Sequence, residues 1–237
     1  MKTLVVLTQW KRNNLVRQLE SIYNQTLKPD YIVVFQNESH IDITELKQKY
    51  SFVHIHNTNY NTKFFGRFAA CFSFPVDICL VIDDDVVPGR QCVETFVTEC
   101  LRLNGIMGGN GRIGTLNPNS NTLYHPPDCI FTSKSILVDF VGHIWCFKKE
   151  WLHYMFTNPP YTYDTGEDMH LCFSAKILGS IHSYLCKQSN GDEAADITYN
   201  ALATDNYSSY KTTSSTLRTD VERSFVEKYD FKFIANQ

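Results

Sequence analysis

The chain has 237 residues, 43% of them hydrophobic and 14% aromatic, with a formal net charge of −3. That is enough apolar material for one large core, so a single domain with at most an appended terminal segment is expected. The mildly acidic balance leaves no electrostatic footprint for nucleic acid.

The opening Met1-Lys2-Thr3-Leu4-Val5-Val6-Leu7-Thr8 is basic and then apolar, but the run is too short for a signal peptide or a membrane span. No other segment approaches transmembrane length, so a cytoplasmic protein is expected. Eight cysteines are scattered without a C-x-x-C pair. Several lie inside apolar runs, which predicts buried thiols in a reducing compartment.

Residues 4–7 form a bare apolar run and read as a buried strand. Asn13-Asn14 then caps a helix whose Leu15, Leu19 and Ile22 share one face. Pro29-Asp30 breaks the chain before a second strand at 31–35, a short helix at 43–50 and a third strand at 52–55. A helical stretch at 64–74 leads to a fourth strand, Ile78–Ile82. This alternation indicates an α/β fold with a mostly parallel sheet and crossover helices. A helix is expected at 90–103, loops or short strands at 105–127, an apolar segment at 138–147 and a helix at 168–178. From Ser189 onward the chain is rich in Ser, Thr and Asn and reads as a flexible or ligand-ordered tail.

The fourth strand ends in Asp83-Asp84-Asp85, followed by Val86-Val87-Pro88. Three adjacent carboxylates repel one another, and a fold keeps them where something positive sits on them. A hard divalent cation, Mn²⁺ or Mg²⁺, takes oxygen ligands and bridges phosphates. Ligands of open α/β sheets bind just beyond the carboxyl ends of strands, where this run stands. The functional reading puts Asp85 on the metal, Asp83 on a ribose or on the metal and its water, and Asp84 toward a sugar hydroxyl. The plainer reading is a solvated acidic turn.

A strand ending in D-x-D, in a chain that opens with β-α-β-α units, resembles the GT-A class of nucleotide-sugar glycosyltransferases. Further segments match in order over residues 3–187. Thr8-Gln9-Trp10-Lys11-Arg12 stands where that class has its first nucleotide-binding loop. Gln36-Asn37-Glu38-Ser39 follows the second strand, where the class carries an acidic residue on the uracil; here Gln36 and Asn37 replace it. Asn61, Lys63 and Phe65-Gly66-Arg67 resemble the segment whose arginine lies near the donor phosphates. The run from Val138 through Gly142, His143 and Trp145 resembles the loop below the donor sugar. Gly166-Glu167-Asp168 resembles the E-D motif that opens the acceptor-side helix.

The resemblance implies a core at 1–188, with a nucleotide-sugar-binding half at 1–110 and an acceptor-binding half at 111–188. The polar segment 189–237 follows, in which 207–211 with Arg218 is a candidate lid over the diphosphate. It further implies transfer of a hexosyl or pentosyl group from a nucleotide sugar, a UDP-sugar favoured, to a hydroxyl of a glycan or glycoconjugate, with inversion. Negative charge grows on the departing diphosphate, and a bridging Mn²⁺ or Mg²⁺ is its sink. One carboxylate must take the acceptor proton. Asp168 is the first choice for that base and Glu167 the second, against simple helix capping for both.

His143 in an apolar stretch reads more readily as a core residue than as a ligand. Trp145 divides evenly between core and a platform for a sugar. The readings kept beside this one are a retaining GT-A enzyme, a non-catalytic nucleotide- or sugar-binding module and a haloacid-dehalogenase-type phosphatase. The last also uses D-x-D and finds a further match in Gly191-Asp192-Glu193-Ala194-Ala195-Asp196. It needs a buried strand before that glycine, however, and the residues there are polar.

Overall fold

The computed structural model describes residues 1–114, 133–188, 206–207 and 215–236. Strands β1 (Thr3–Gln9), β2 (Tyr31–Asn37), β3 (Val53–Thr58) and β4 (Ile78–Ile82) alternate with helices α1 (Leu15–Tyr23), α2 (Thr44–Lys49) and α3 (Gly66–Ala69). They pair in parallel in the order β3-β2-β1-β4. Every residue of β1 and β4 is buried. Strands covered by helices on both faces carry such unbroken apolar runs instead of an alternating pattern.

Helix α1 buries Leu15, Leu19 and Ile22 as expected, together with Gln18. Asn14 does not cap it with its side chain. Its amide instead donates to the Asp84 carbonyl at 2.9 Å, and the Gln18 amide donates to the carbonyls of Asp83 and Val86 at 2.7 Å each. Polar residues at the start of α1 are thus spent on holding the acidic loop.

The second half adds α4 (Cys92–Leu103), β5 (Ile106–Arg112), β6 (Ile136–Val138), β7 (Phe140–Lys148), α5 (Leu152–Thr157), α6 (Glu167–Gly179), β8 (Ser183–Leu185) and α7 (Ser215–Tyr229). The sheet continues as β4-β7-β5-β8-β6, with β7 antiparallel to both β4 and β5. The result is an eight-stranded mixed sheet flanked by helices, parallel throughout its first half. The core is continuous across both halves, from Leu4–Leu7 through Phe68, Phe96 and Trp145 to Phe173.

The C-terminal segment departs from its polar, tail-like reading. Val221 and Phe225 of α7 are buried, as are Phe231 and Phe233 beyond it. The Phe231 ring centroid lies 4.2 Å from that of Phe173 on α6. Buried Asp139 accepts from the N–H of Gly114 at 3.0 Å and of Ile234 at 3.1 Å, tying the end of the chain to the start of β7. The Gly191–Asp196 segment and residues 208–211 of the candidate lid lie outside the described residues. Seven cysteines are free and buried; Cys129 lies outside the described residues. Among the described residues no helix is long and apolar enough to cross a membrane.

Candidate active site

Sheet register brings the chemistry to one edge. β1 and β4 align Leu7 with Ile82, and β1 and β2 align Gln9 with Gln36. Their carboxyl ends therefore open onto the same side, which carries the loop after β1, the residues after β2 and the acidic run. Antiparallel β7 sets Ile144 opposite Ile82, and the Asp83 N–H donates to the His143 carbonyl at 3.0 Å. Gly142 and His143 thereby face the aspartates. Helix α6, packed on β7, presents its first residues Glu167 and Asp168 to the same space.

These pieces enclose a cleft of about 570 Å³, within the range of small-molecule sites. Thr8, Arg12, Asn37, Asn61, Lys63, Arg67, Asp83, Asp84, Asp85, Gly142, His143, Trp145, Glu167 and Asp168 all line it. Gln9 and Gln36 do not. They are register partners, so their side chains share one sheet face, and strand alternation turns that face away from the cleft. Gln36 donates instead to the Ile41 carbonyl at 2.6 Å.

Each aspartate of the acidic run meets a guanidinium. Asp84 is 7% exposed, pairs with Arg12, and accepts the Trp10 N–H at 3.2 Å. Expected to face a sugar hydroxyl, it is committed to the first loop. Burial pushes its carboxyl up to about 7, with Arg12 opposing. Arg12 also lies 3.4 Å from Asp85, and Arg67 pairs with Asp83.

Among the described residues no three of His, Cys, Asp and Glu form a metal cage of their own. A hard cation that keeps waters and takes phosphate oxygens needs only one or two protein carboxylates. The all-oxygen pair Asp83 and Asp85 on the cleft wall fits that requirement.

Arg67 is the centre of the site. Its guanidinium is 4% exposed, pairs with Asp83 through Nη1 and donates to Glu167 through Nη2 at 2.8 Å. It lies 4.7 Å above the Trp145 ring. That ring is 2% exposed and its indole N–H donates to the Val141 carbonyl at 2.8 Å. Trp145 is therefore a buried floor beneath Arg67 that also borders the cleft. His170 is a core residue as well, with Nε2 facing the Met155 carbonyl at 2.9 Å and burial depressing its pKa.

At the start of α6, burial and then Asp168 push Glu167 up to about 7, against Arg67 and Arg218. Asp168 accepts from its neighbour Met169 N–H at 2.8 Å and from Arg218 of α7 at 2.7 Å. Lys63 and Asp164 close the rim with a 3.3 Å ion pair. Lys11, Glu38, Lys63 and His143 all hold left-handed φ values between 54° and 66°. For non-glycine residues this conformation costs on the order of 1–3 kcal/mol each and collects at functional sites. Lys11, Glu38 and Lys63 sit in the turns after β1, after β2 and before α3, and His143 lies within β7 on the cleft wall.

Sequence reasoning did not select Trp10, Phe64, Asn110, Arg112, Phe140, Asp164 or Leu217, which also line the cleft. Trp10 stood inside the quoted first loop. Asn110 and Arg112 lie on β5, in a region that reads as loops or short strands, and Leu217 on a helix that reads as tail.

The architecture is the α/β GT-A fold, a mixed sheet flanked by helices, here with the cleft at the strand ends. Solved structures of S. aureus TarS share it. The first matches with a TM-score of 0.56 at 14% identity, covering 79% of this chain and 37% of that one. TarS 1–349 matches with 0.57 at 14% identity, covering 79% and 60%. TarS 1–349 in complex with UDP-GlcNAc matches with 0.62 at 13% identity, covering 98% and 68%. This chain therefore spans between about a third and two thirds of the TarS chains it resembles. At such identities the likeness establishes the fold. No protein-family model matches the chain, and no curated protein matches it in sequence.

Proposed function

We propose that the chain is a nucleotide-sugar-dependent glycosyltransferase that moves one sugar to a hydroxyl of a glycan or glycoconjugate, with inversion. The observation that carries this reading is the Arg67 bridge. It joins Asp83 of the acidic run to Glu167 of the Glu167-Asp168 pair, so that both acidic motifs serve one cleft. The UDP-GlcNAc bound by TarS, in a structure that aligns with 98% of this chain, supports a UDP-sugar as donor.

In this reading Thr8, Trp10, Asn37 and Asn61 border the nucleotide. Asn37 is held by Asn61 at 3.0 Å and by the Thr62 N–H at 2.9 Å, so this wall is pre-set. Asp85 and Asp83 would hold Mn²⁺ or Mg²⁺, which supplies positive charge to the leaving diphosphate. Lys63 and Arg67 add fixed charge where negative charge develops. Asp168 takes the proton of the attacking hydroxyl: both carboxylates line the cleft and both meet an arginine, but the Asp168 side chain is the more exposed, at 13% against 8% for Glu167.

A melting-temperature panel of UDP-, GDP-, dTDP- and CMP-sugars, each with Mn²⁺ and with EDTA, tests this. A ligand bound only by the native state raises the melting temperature. One nucleotide class should stabilise the protein with Mn²⁺ and lose that effect in Asp85→Ala. No stabilisation by any nucleotide sugar would remove the transferase reading.

A further inference from the structure

We propose that Arg218, carried by the C-terminal helix, is a positioning residue that holds the carboxylate of Asp168 in place for its role as base; this rests on the transferase reading above.

The geometry starts with how α7 is fixed. Val221 and Phe225 stand three and seven residues after Arg218, so they follow it along one side of the helix. Both are 3% exposed. The Phe225 ring packs at 5.6 Å from His170 and 5.2 Å from Phe173, and both partners belong to α6. The helix that carries Arg218 is thus clamped to the helix that opens with Asp168. The distance between the two charges is set by core packing.

The contacts of Arg218 go to the start of α6. Nη2 donates to Asp168 Oδ2 at 2.7 Å, and Nη1 donates to Thr165 Oγ1 at 3.2 Å. Thr165 is 1% exposed, so the second contact anchors the guanidinium to a fixed point. Asp168 Oδ1 accepts the Met169 N–H at 2.8 Å. The carboxylate is gripped at both oxygens from different directions. It has about four lone-pair sites, so these two contacts leave capacity for an incoming hydroxyl. A base held this way loses little entropy on reaching the transition state, which is the benefit of preorganisation. The other reading of Arg218 is a lid residue on the donor diphosphate. Two hydrogen bonds to the start of α6 favour the positioning role.

The test uses the full chain, wild type beside Arg218→Gln and Arg218→Lys. Affinity is measured with UDP plus Mn²⁺. Turnover is measured as UDP release from the nucleotide sugar that stabilises the protein, with glycerol as a simple hydroxyl acceptor. Arg218→Gln should lower kcat by about 10- to 100-fold, the range expected when a reacting group is misplaced. Its UDP affinity should stay within about twofold, since an interaction used only in the transition state leaves ground-state binding alone. Arg218→Lys keeps the charge and one contact, and should recover most of the lost kcat. Melting curves check folding; if the Gln variant unfolds, the Lys variant and its kcat-against-affinity split decide. An unchanged kcat in Arg218→Gln overturns the inference. So does a parallel loss of UDP affinity, which would assign Arg218 to the diphosphate. A wild type that releases no UDP overturns the transferase reading and this inference together, whereas active wild type with indifferent variants overturns only the inference.

Discussion

Arg67 donates to Glu167 at 2.8 Å across a sequence separation of 100 residues, from α3 to the first residue of α6. The same guanidinium pairs with Asp83. Removing it leaves a buried carboxylate and a half-buried one facing each other with no cation between them. Breaking a buried ion pair by deleting one partner costs about 3–5 kcal/mol. Arg67→Met is therefore expected to destabilise the fold by that order. Urea unfolding measures it, and a loss below about 1 kcal/mol would show that the bridge is not holding the two motifs together.

The carboxyl of Glu167 sits up at about 7 through burial and the neighbouring Asp168. A group raised in the folded state favours folding while protonated. Its contribution is complete below the ordinary carboxylate range and is lost as pH rises through about 7. The melting temperature should accordingly fall between roughly pH 5 and pH 8. Glu167→Gln keeps an acceptor for Arg67 and carries no charge, so it should flatten that fall. The flattening is partial, because burial also pushes Asp84 and Glu222 up to about 7. Equal slopes for wild type and variant would contradict the assignment.

Gly66 allows α3 to approach the loop before it. A Cβ there would lie 2.3 Å from Thr62 Oγ1 and 2.7 Å from Phe35 Cζ. Thr62 holds the Asn37 side-chain oxygen through both its N–H and its hydroxyl at 2.9 Å. Overpacking of this kind costs about 1–3 kcal/mol. Gly66→Ala should lose stability of that order and weaken UDP binding by displacing the Asn37–Asn61 wall. Unfolding curves and a UDP titration on one sample read both effects.

Asp85→Ala and Asp168→Asn should separate binding from chemistry. The first should abolish the Mn²⁺-dependent rise in melting temperature produced by the donor. The second should preserve that rise while lowering transfer by about 10²- to 10⁴-fold, the usual worth of a positioned base. Asp168→Asn with near wild-type transfer would move the role to Glu167.

Some elements were legible and others were not, for identifiable reasons. Ile78–Ile82 shows itself as a strand because five apolar residues end in charge. Ile106–Arg112 reads only as loop or short strand because Gly108, Gly109 and Gly111 are poor strand formers in isolation. Its glycines are filled by tertiary neighbours, since a Cβ on Gly108 would come within 2.1 Å of the Val141 Cβ. Helix α7 hides because its polar surface outweighs the two buried anchors Val221 and Phe225. Gln9 and Gln36 stood inside the quoted segments, yet the phase of strand alternation turns them away from the cleft.

The sequence alone determined the strand–helix alternation of the first half, the arrival of three aspartates at a strand end, and the acidic pair opening α6. These are local properties: periodicity and the chemistry at element ends are written in neighbouring residues. Only the tertiary structure decided which cation meets which acid. Arg12 reaches Asp84 across 72 residues, Arg67 reaches Glu167 across 100, and Arg218 reaches Asp168 across 50. Such pairings depend on register and helix packing, which place side chains together without leaving a repeating pattern in the chain.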